Sequence, residues 1–289
     1  MAGERQASGR VGIIAGGGGL PLAIIDAMKV RGENPFVIAL RGSAAAIPNG
    51  IERAEVDTAE PGKMIATLRK AGVTDLVLAG SVNSRPDLAR FRPDWTTLKL
   101  LPRIAALLRR GDDGLLRSVI AILEGEGFRV RAVHDIAPSL LAFAGPIAGP
   151  SPSPAARADI EAAARAARAI GALDIGQGAV SVGGRVVALE GAEGTDAMLE
   201  RVAAMRAAGR ISAKARGVLV KCAKPGQDRR VDLPTIGPST IRNAAAAGLE
   251  GVAVEAGDAL VLDIDDLVAE AERLGVFAFG IAPDSGAGA

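Results

Sequence analysis

The chain has no tyrosine, a single tryptophan (Trp95), six phenylalanines, one histidine and one cysteine. So few aromatic rings exclude the stacking platforms on which single-stranded nucleic acids lie. Lys plus Arg number 34 and Asp plus Glu 33, which removes the net basic face expected of a bulk nucleic-acid binder. Cys222 alone makes neither an intramolecular disulfide nor a cysteine-based zinc centre, and a reducing, cytoplasmic setting follows most simply. The longest apolar stretch, 11–25, is broken by Gly16–Gly19 and Pro21, so no spanning helix is expected. The first ten residues are polar and charged and do not read as a secretory signal.

What is present is enough apolar material, in 289 residues, for two cores. In the first half, strand-like runs at 11–15, 35–40, 54–56, 75–79 and 128–133 alternate with helical patterns at 20–31, 62–71, 98–109 and 115–126. Such alternation predicts an α/β fold with a Rossmann-like, mainly parallel sheet. Residues 145–154 (GPIAGPSPSP) carry four prolines and two glycines and read as a linker. The expected domains are therefore 1–144, a nucleotide-side domain, and 155–289, a mixed α/β catalytic domain. In the second half we expect a helix over 155–170 stopped by Gly171, and a hairpin 179–189 turning at Gly183-Gly184. Helices are expected at 196–208, 239–247 and 264–274, strands at 217–221, 251–254, 259–262 and 276–279, and a frayed tail from 284.

Three segments carry candidate chemistry. Gly16-Gly17-Gly18-Gly19-Leu20-Pro21 follows a strand and opens a helix, a context in which backbone amides and the helix dipole favour a phosphate. It approximates a dinucleotide fingerprint, but Pro21 replaces the third glycine, and Arg41 and Gly42 stand where an acidic ribose reader belongs. NAD is disfavoured; an NADP-dependent oxidoreductase reading through Arg41 stays open. Gly80 and Ser81, after the strand at 75–79, are expected beside this turn, at the strand ends where ligands of parallel sheets bind. The third segment, Lys221–Gly237, gathers Lys221, Lys224, Asp228, Arg229, Arg230 and Asp232 in a Pro/Gly-punctuated loop. Cations there suit pyrophosphate oxygens, and a carboxylate suits a water or Mg²⁺; a solvated charged loop is the plainer alternative. Upstream, Gly194 and Thr195 open a helix, with Thr195 read as an N-cap or as a ligand contact. His134 reads as a structural residue at a strand end, Cys222 as a small strand-end filler, and Asp112-Asp113 as a cap pair with a metal role as the lesser reading.

Taken together, Gly16–Pro21, Ala79–Val82, Gly111–Asp113, Asp174–Gln177, Glu190–Asp196 and Lys221–Gly237, above all QDRRVDLPTIG, resemble the LpxI type of UDP-2,3-diacylglucosamine pyrophosphatase along nearly the whole chain. The resemblance implies hydrolysis of this sugar nucleotide to UMP and 2,3-diacylglucosamine 1-phosphate in lipid A synthesis, at the cytoplasmic face of the inner membrane. It also implies Mg²⁺ dependence, a homodimer and a substrate held between two domains. The family's essential aspartate falls on Asp232. From the chemistry we add Lys221 and Arg230 as phosphate clamps and Asp228 as a second metal ligand. Gly16, Gly17, Gly18, Gly19, Gly80, Ser81, Gly194 and Thr195 are the expected substrate contacts. The stripe Leu98, Leu101, Ala105 and Leu108, flanked by Lys99, Arg103, Arg109 and Arg110, reads as a membrane-facing or sheet-packing helix. A non-catalytic nucleotide- or lipid-binding regulator is the further alternative.

Overall fold

The computed structural model describes residues 9–42, 46–82, 112–231 and 233–283. The expected helix at 98–109 and the tail from 284 lie outside these residues, as does Asp232. The chain divides into two compact units, 1–139 with 228–232, and 140–227 with 233–289.

The first unit carries a five-stranded sheet. Its strands are β1 (Arg10–Ala15), β2 (Phe36–Leu40), β3 (Arg53–Val56), β4 (Val73–Ala79) and β5 (Arg129–Val130). The order β3-β2-β1-β4-β5 and uniformly parallel pairing are those of a doubly wound sheet. The central strands are near-continuous apolar runs because helices cover both faces. Helices α1 (Leu20–Val30), α2 (Pro61–Lys70) and α3 (Asp112–Gly125) follow in order. Pro21 and Pro61 sit in first turns, where a missing N–H costs nothing. Ile65 and Leu68 of α2 and Ile120 and Leu123 of α3 close a core around Ile38 and Leu76. The strand expected over 128–133 shrinks to β5, because residues 133–136 form a short helix, α4 (Val133–Ile136). His134 therefore lies in a helix rather than at a strand end.

The second unit is a six-stranded mixed sheet in the order β6-β13-β11-β9-β7-β8, with a two-stranded parallel sheet β10-β12. The strands are β6 (Gly145–Ala148), β7 (Gly178–Val182), β8 (Arg185–Leu189), β9 (Gly217–Lys221), β10 (Thr235–Ile236), β11 (Gly251–Glu255), β12 (Leu260–Val261) and β13 (Phe277–Ile281). The central strands β13, β11 and β9 are parallel; β6 and β7 flank them antiparallel. Gly145–Ala148, expected within the linker, is thus an edge strand, a place where proline is tolerated because one side of the ladder is unpaired. Helix α5 (Pro154–Ala172) packs Ala156, Ile160, Ala163 and Ala167 on one sheet face, against Val218 and Val220. Helices α6 (Gly194–Ala207), α7 (Pro238–Ala246) and α8 (Ile264–Leu274) cover the other, through Leu199, Ile241 and Leu267 against Val180, Leu219 and Val252.

Gly171 does not end α5. It lies buried inside the helix, where an added Cβ would touch Lys224 Cα and Pro225 Cδ, each at 3.4 Å. The stop comes at Asp174, in the left-handed conformation (φ +55°). The hairpin forms as expected: Gly183 (φ +63°) and Gly184 (φ +78°) supply the two positive φ angles its turn requires. Buried Asp159 of α5 pins that turn, accepting from Ser181 Oγ at 2.7 Å and from the Gly183 and Gly184 amides at 3.1 and 2.6 Å. Asp159→Ala orphans these donors. We expect it to lower unfolding free energy by about 2 kcal/mol, read from a urea transition, because the buried Ser181 hydroxyl loses its acceptor and the turn loses its anchor.

Candidate functional site

In the first unit, the glycine turn stands at the carboxyl ends of β1 and β4. The Gly16 amide donates to Ala79 O at 2.8 Å and the Gly17 amide to Ser81 O at 2.7 Å, while the Ser81 amide returns a bond to Gly17 O at 3.0 Å. The two expected segments do stand side by side, and backbone proximity explains their composition. A Cβ on Gly16 would lie 2.4 Å from Ser81 O, and one on Gly80 (φ +88°) 2.3 Å from Gly17 O. The amides of Gly16 and Gly17 are engaged in closing the turn, and Gly18, Gly19 and the exposed Ser81 stand beside it at the start of α1. Arg41, the basis of the NADP reading, is paired with Glu55 at 3.0 Å, and that hydrogen bond and charge raise its pKa.

The second unit places Lys221 at the carboxyl end of central strand β9. Its side chain is buried (7% exposed), and Nζ donates to Thr235 O at 3.1 Å. Neighbouring β7 sets Gly178 opposite Lys221, and on the far side of Gly178 the Glu190 amide donates to Gly178 O at 2.9 Å. Glu190 is itself buried. Its carboxylate accepts from Thr195 Oγ1 at 2.7 Å and from the Gln177 amide at 3.3 Å. Thr195 therefore is not the N-cap of α6; it sits inside the first turn and gives its proton to Glu190, and Glu193 precedes the helix. Gln177 O in turn accepts from the Cys222 amide at 2.9 Å, and Gln177 Oε1 is buried with no protein partner among the described residues. Gly194 (φ +82°) makes the turn into α6.

The charged loop divides between the units. Residues 228–232 belong to the first, and Val231 packs against the core that contains Ile120 and Leu123. The same placement joins two of the expected site residues, Arg230 and Asp228, to each other. Arg230 grips Asp228 through Nε–Oδ1 at 2.8 Å and Nη2–Oδ2 at 2.6 Å, and reaches Glu124 of α3 at 2.7 Å. The Arg230 hydrogen bonds hold the Asp228 carboxyl below the usual carboxylate range, and the same contacts push the guanidinium pKa up. A guanidinium carries five N–H donors and a carboxylate about four acceptor sites, so these bonds orient both groups without exhausting either. Among the described residues no three His, Cys, Asp or Glu side chains group together. Asp112 and Asp113 open α3.

Family comparison bears directly on these segments. Residues 10–140 match the model of the LpxI N-terminal domain and residues 144–279 that of the LpxI C-terminal domain. The chain is 44% identical, over 275 residues, to a Caulobacter vibrioides protein named UDP-2,3-diacylglucosamine pyrophosphatase LpxI, an alignment covering 95% of this chain and 98% of that one. The chain belongs to the LpxI family. Both LpxI domain models fall on an α/β unit with its own sheet, and they meet at 140–144. In this LpxI chain Glu190, Gln177 and Glu124 complete clusters that the sequence alone did not assemble. The one available signal was that Glu190 and Gln177 fall within the family-like segments Glu190–Asp196 and Asp174–Gln177.

Cys222 is the small filler its neighbours suggest, 1% exposed, with Sγ near Ala164 O at 3.9 Å. Burial, aided by the Glu255 charge, pushes its thiol up to about 12, so no thiolate forms near neutral pH. We expect no reaction with a disulfide thiol reagent at pH 8 in the folded protein, and stoichiometric reaction once denaturant is added. No helix among the described residues is long and apolar enough to cross a membrane.

Proposed function

We propose that this LpxI chain hydrolyses the pyrophosphate bond of UDP-2,3-diacylglucosamine, releasing UMP and 2,3-diacylglucosamine 1-phosphate, as a step of lipid A synthesis. The observation that carries the reading is the near full-length relationship to a relative bearing that enzyme name. A buried ammonium at the end of a central parallel strand is consistent with it. Water attacks one phosphorus and the phosphoanhydride bond to the other phosphate breaks. Asp232, matched by motif, positions that water and takes its proton. The Lys221 ammonium stabilises negative charge gathering on the phosphoryl oxygens. Gly18, Gly19 and Ser81 hold the nucleotide side through main-chain and hydroxyl donors. Gly194 and Thr195 contact the substrate at the start of α6.

Magnesium belongs to the proposal through the family resemblance, with Asp232 and Asp228 as its protein ligands and Arg230, bonded to Asp228, clamping phosphate. The deciding experiment is UMP release from UDP-2,3-diacylglucosamine by the purified protein, with Mg²⁺, with EDTA, and with UDP-N-acetylglucosamine as a control. Release that depends on the acylated substrate supports the reading, and its absence ends it. Loss of release in EDTA, restored by Mg²⁺, supports the metal. Peripheral membrane binding at the cytoplasmic face, with the stripe at 98–110, and a homodimer complete the proposal; co-flotation with anionic vesicles and the mass in light scattering test them. An NADP-dependent oxidoreductase has weaker footing, with Arg41 paired to Glu55.

A further inference from the structure

A row of three residues crosses the second sheet at one level. Gly178 of β7 is in register with Lys221 of β9. Ala179 is in register with Leu189, which brings Glu190, one residue on, level with Gly178 across the other edge of β7. Side chains level with one another on adjacent strands project from the same face. Glu190 and Lys221 thus stand on one face, a carboxylate and an ammonium, on either side of a residue without a side chain. The missing side chain matters: a Cβ on Gly178 would lie 2.7 Å from Glu190 Oε2. The glycine leaves room for the carboxylate to lean into the row. A second close approach, Gly176 beneath Glu190 O (2.1 Å from an added Cβ), fixes the glutamate backbone.

The hydrogen bonds decide what this carboxylate does. A threonine hydroxyl has one proton and two lone pairs. That of Thr195 is directed to Glu190 Oε1 at 2.7 Å, so toward a ligand Thr195 presents only lone pairs. It is thereby set to accept from a hydroxyl or N–H of the substrate, and not to donate to phosphate. We propose that Glu190 is a positioning residue of the reaction, which fixes Thr195 as an acceptor for a substrate hydroxyl or N–H and holds a negative charge in the row that ends at Lys221. This rests on the hydrolase reading above.

The test is a double-mutant comparison on UMP release. In Glu190→Gln one oxygen becomes an NH2 group, so the side chain cannot accept from both Thr195 and the Gln177 amide. We expect kcat/KM to fall roughly 100-fold, the scale of a misplaced substrate-positioning group. In a Thr195→Val background, which has no hydroxyl to orient, the same substitution should cost almost nothing more; in a Thr195→Ser background the sensitivity should persist. A glutamate that only supports the fold would lower activity by the same factor in all three backgrounds, and that result overturns the proposal, as does wild-type kcat/KM in Glu190→Gln. Should Glu190→Gln fail to fold, Thr195→Val decides: a raised KM sustains the proposal, and wild-type KM and kcat overturn it. A wild-type protein that releases no UMP removes the hydrolase reading itself, whereas an active wild type with an indifferent Glu190→Gln removes only the role of Glu190.

Discussion

Asp232→Ala is expected to lower kcat by roughly three orders of magnitude, while the thermal midpoint and substrate affinity stay close to wild type; losses of this size follow when an interaction made chiefly in the transition state is removed. The expectation rests on the match of Arg-Val-Asp-Leu-Pro to the family motif and on how its flanks are held. Just before Asp232, Val231 is seated in the first core, and Arg230 is fixed by Asp228 and Glu124. Just after it, Leu233 is buried and Thr235 enters β10. The described neighbours at 231 and 233 are held by their own contacts, which the truncation does not remove. Single-turnover measurements at saturating substrate separate chemistry from binding. Turnover within a few-fold of wild type would remove Asp232 from the mechanism.

Lys221→Met should produce the second large effect, about a 100-fold fall in kcat/KM with a thermal midpoint shifted by at most a few degrees. The two readouts belong together. A buried ammonium is expensive to desolvate, and methionine fills a similar volume without that cost, so a lysine kept only for structure would be missed little by the reaction. Lys221 ends a strand already secured by Val218, Leu219 and Val220, and its Nζ donates to Thr235 O. Loss of activity in a protein that melts no earlier therefore marks the charge as functional. Melting at a lower temperature with kcat intact would assign it to structure instead.

Much of the architecture was legible before any coordinates, for a physical reason. The parallel strands are buried on both faces, so β1, β2, β4, β9 and β11 announce themselves as apolar runs, and Gly72, Gly209 and Gly248 close the preceding helices with positive φ. Elements that depend on distant partners were not legible. Gly145–Ala148 carries a proline and becomes a strand only because β13 lies beside it. β10, two residues long, exists only as the partner of β12. Gly171 carries the local signature of a helix end, yet tertiary contact with residues 224–225 places it inside α5. The candidate site divides in the same way. Residue types in the charged loop pointed to phosphate chemistry, but nothing local told Lys221 from Arg230. The fold separates them by burying the first at a strand end and giving the second to two carboxylates. Thr195 was found as part of a helix start; the buried glutamate that takes its proton was hidden because their juxtaposition follows the turn from β8 into α6.

The chain's brief return to the first unit at 228–232 has a consequence for dissection. A fragment starting at residue 140 would carry Arg230 without Glu124 and Val231 without the core it packs on. Cutting the chain once near residue 140 therefore does not yield two self-sufficient halves: the second keeps a loop that belongs to the first, and the loop it keeps includes Asp232.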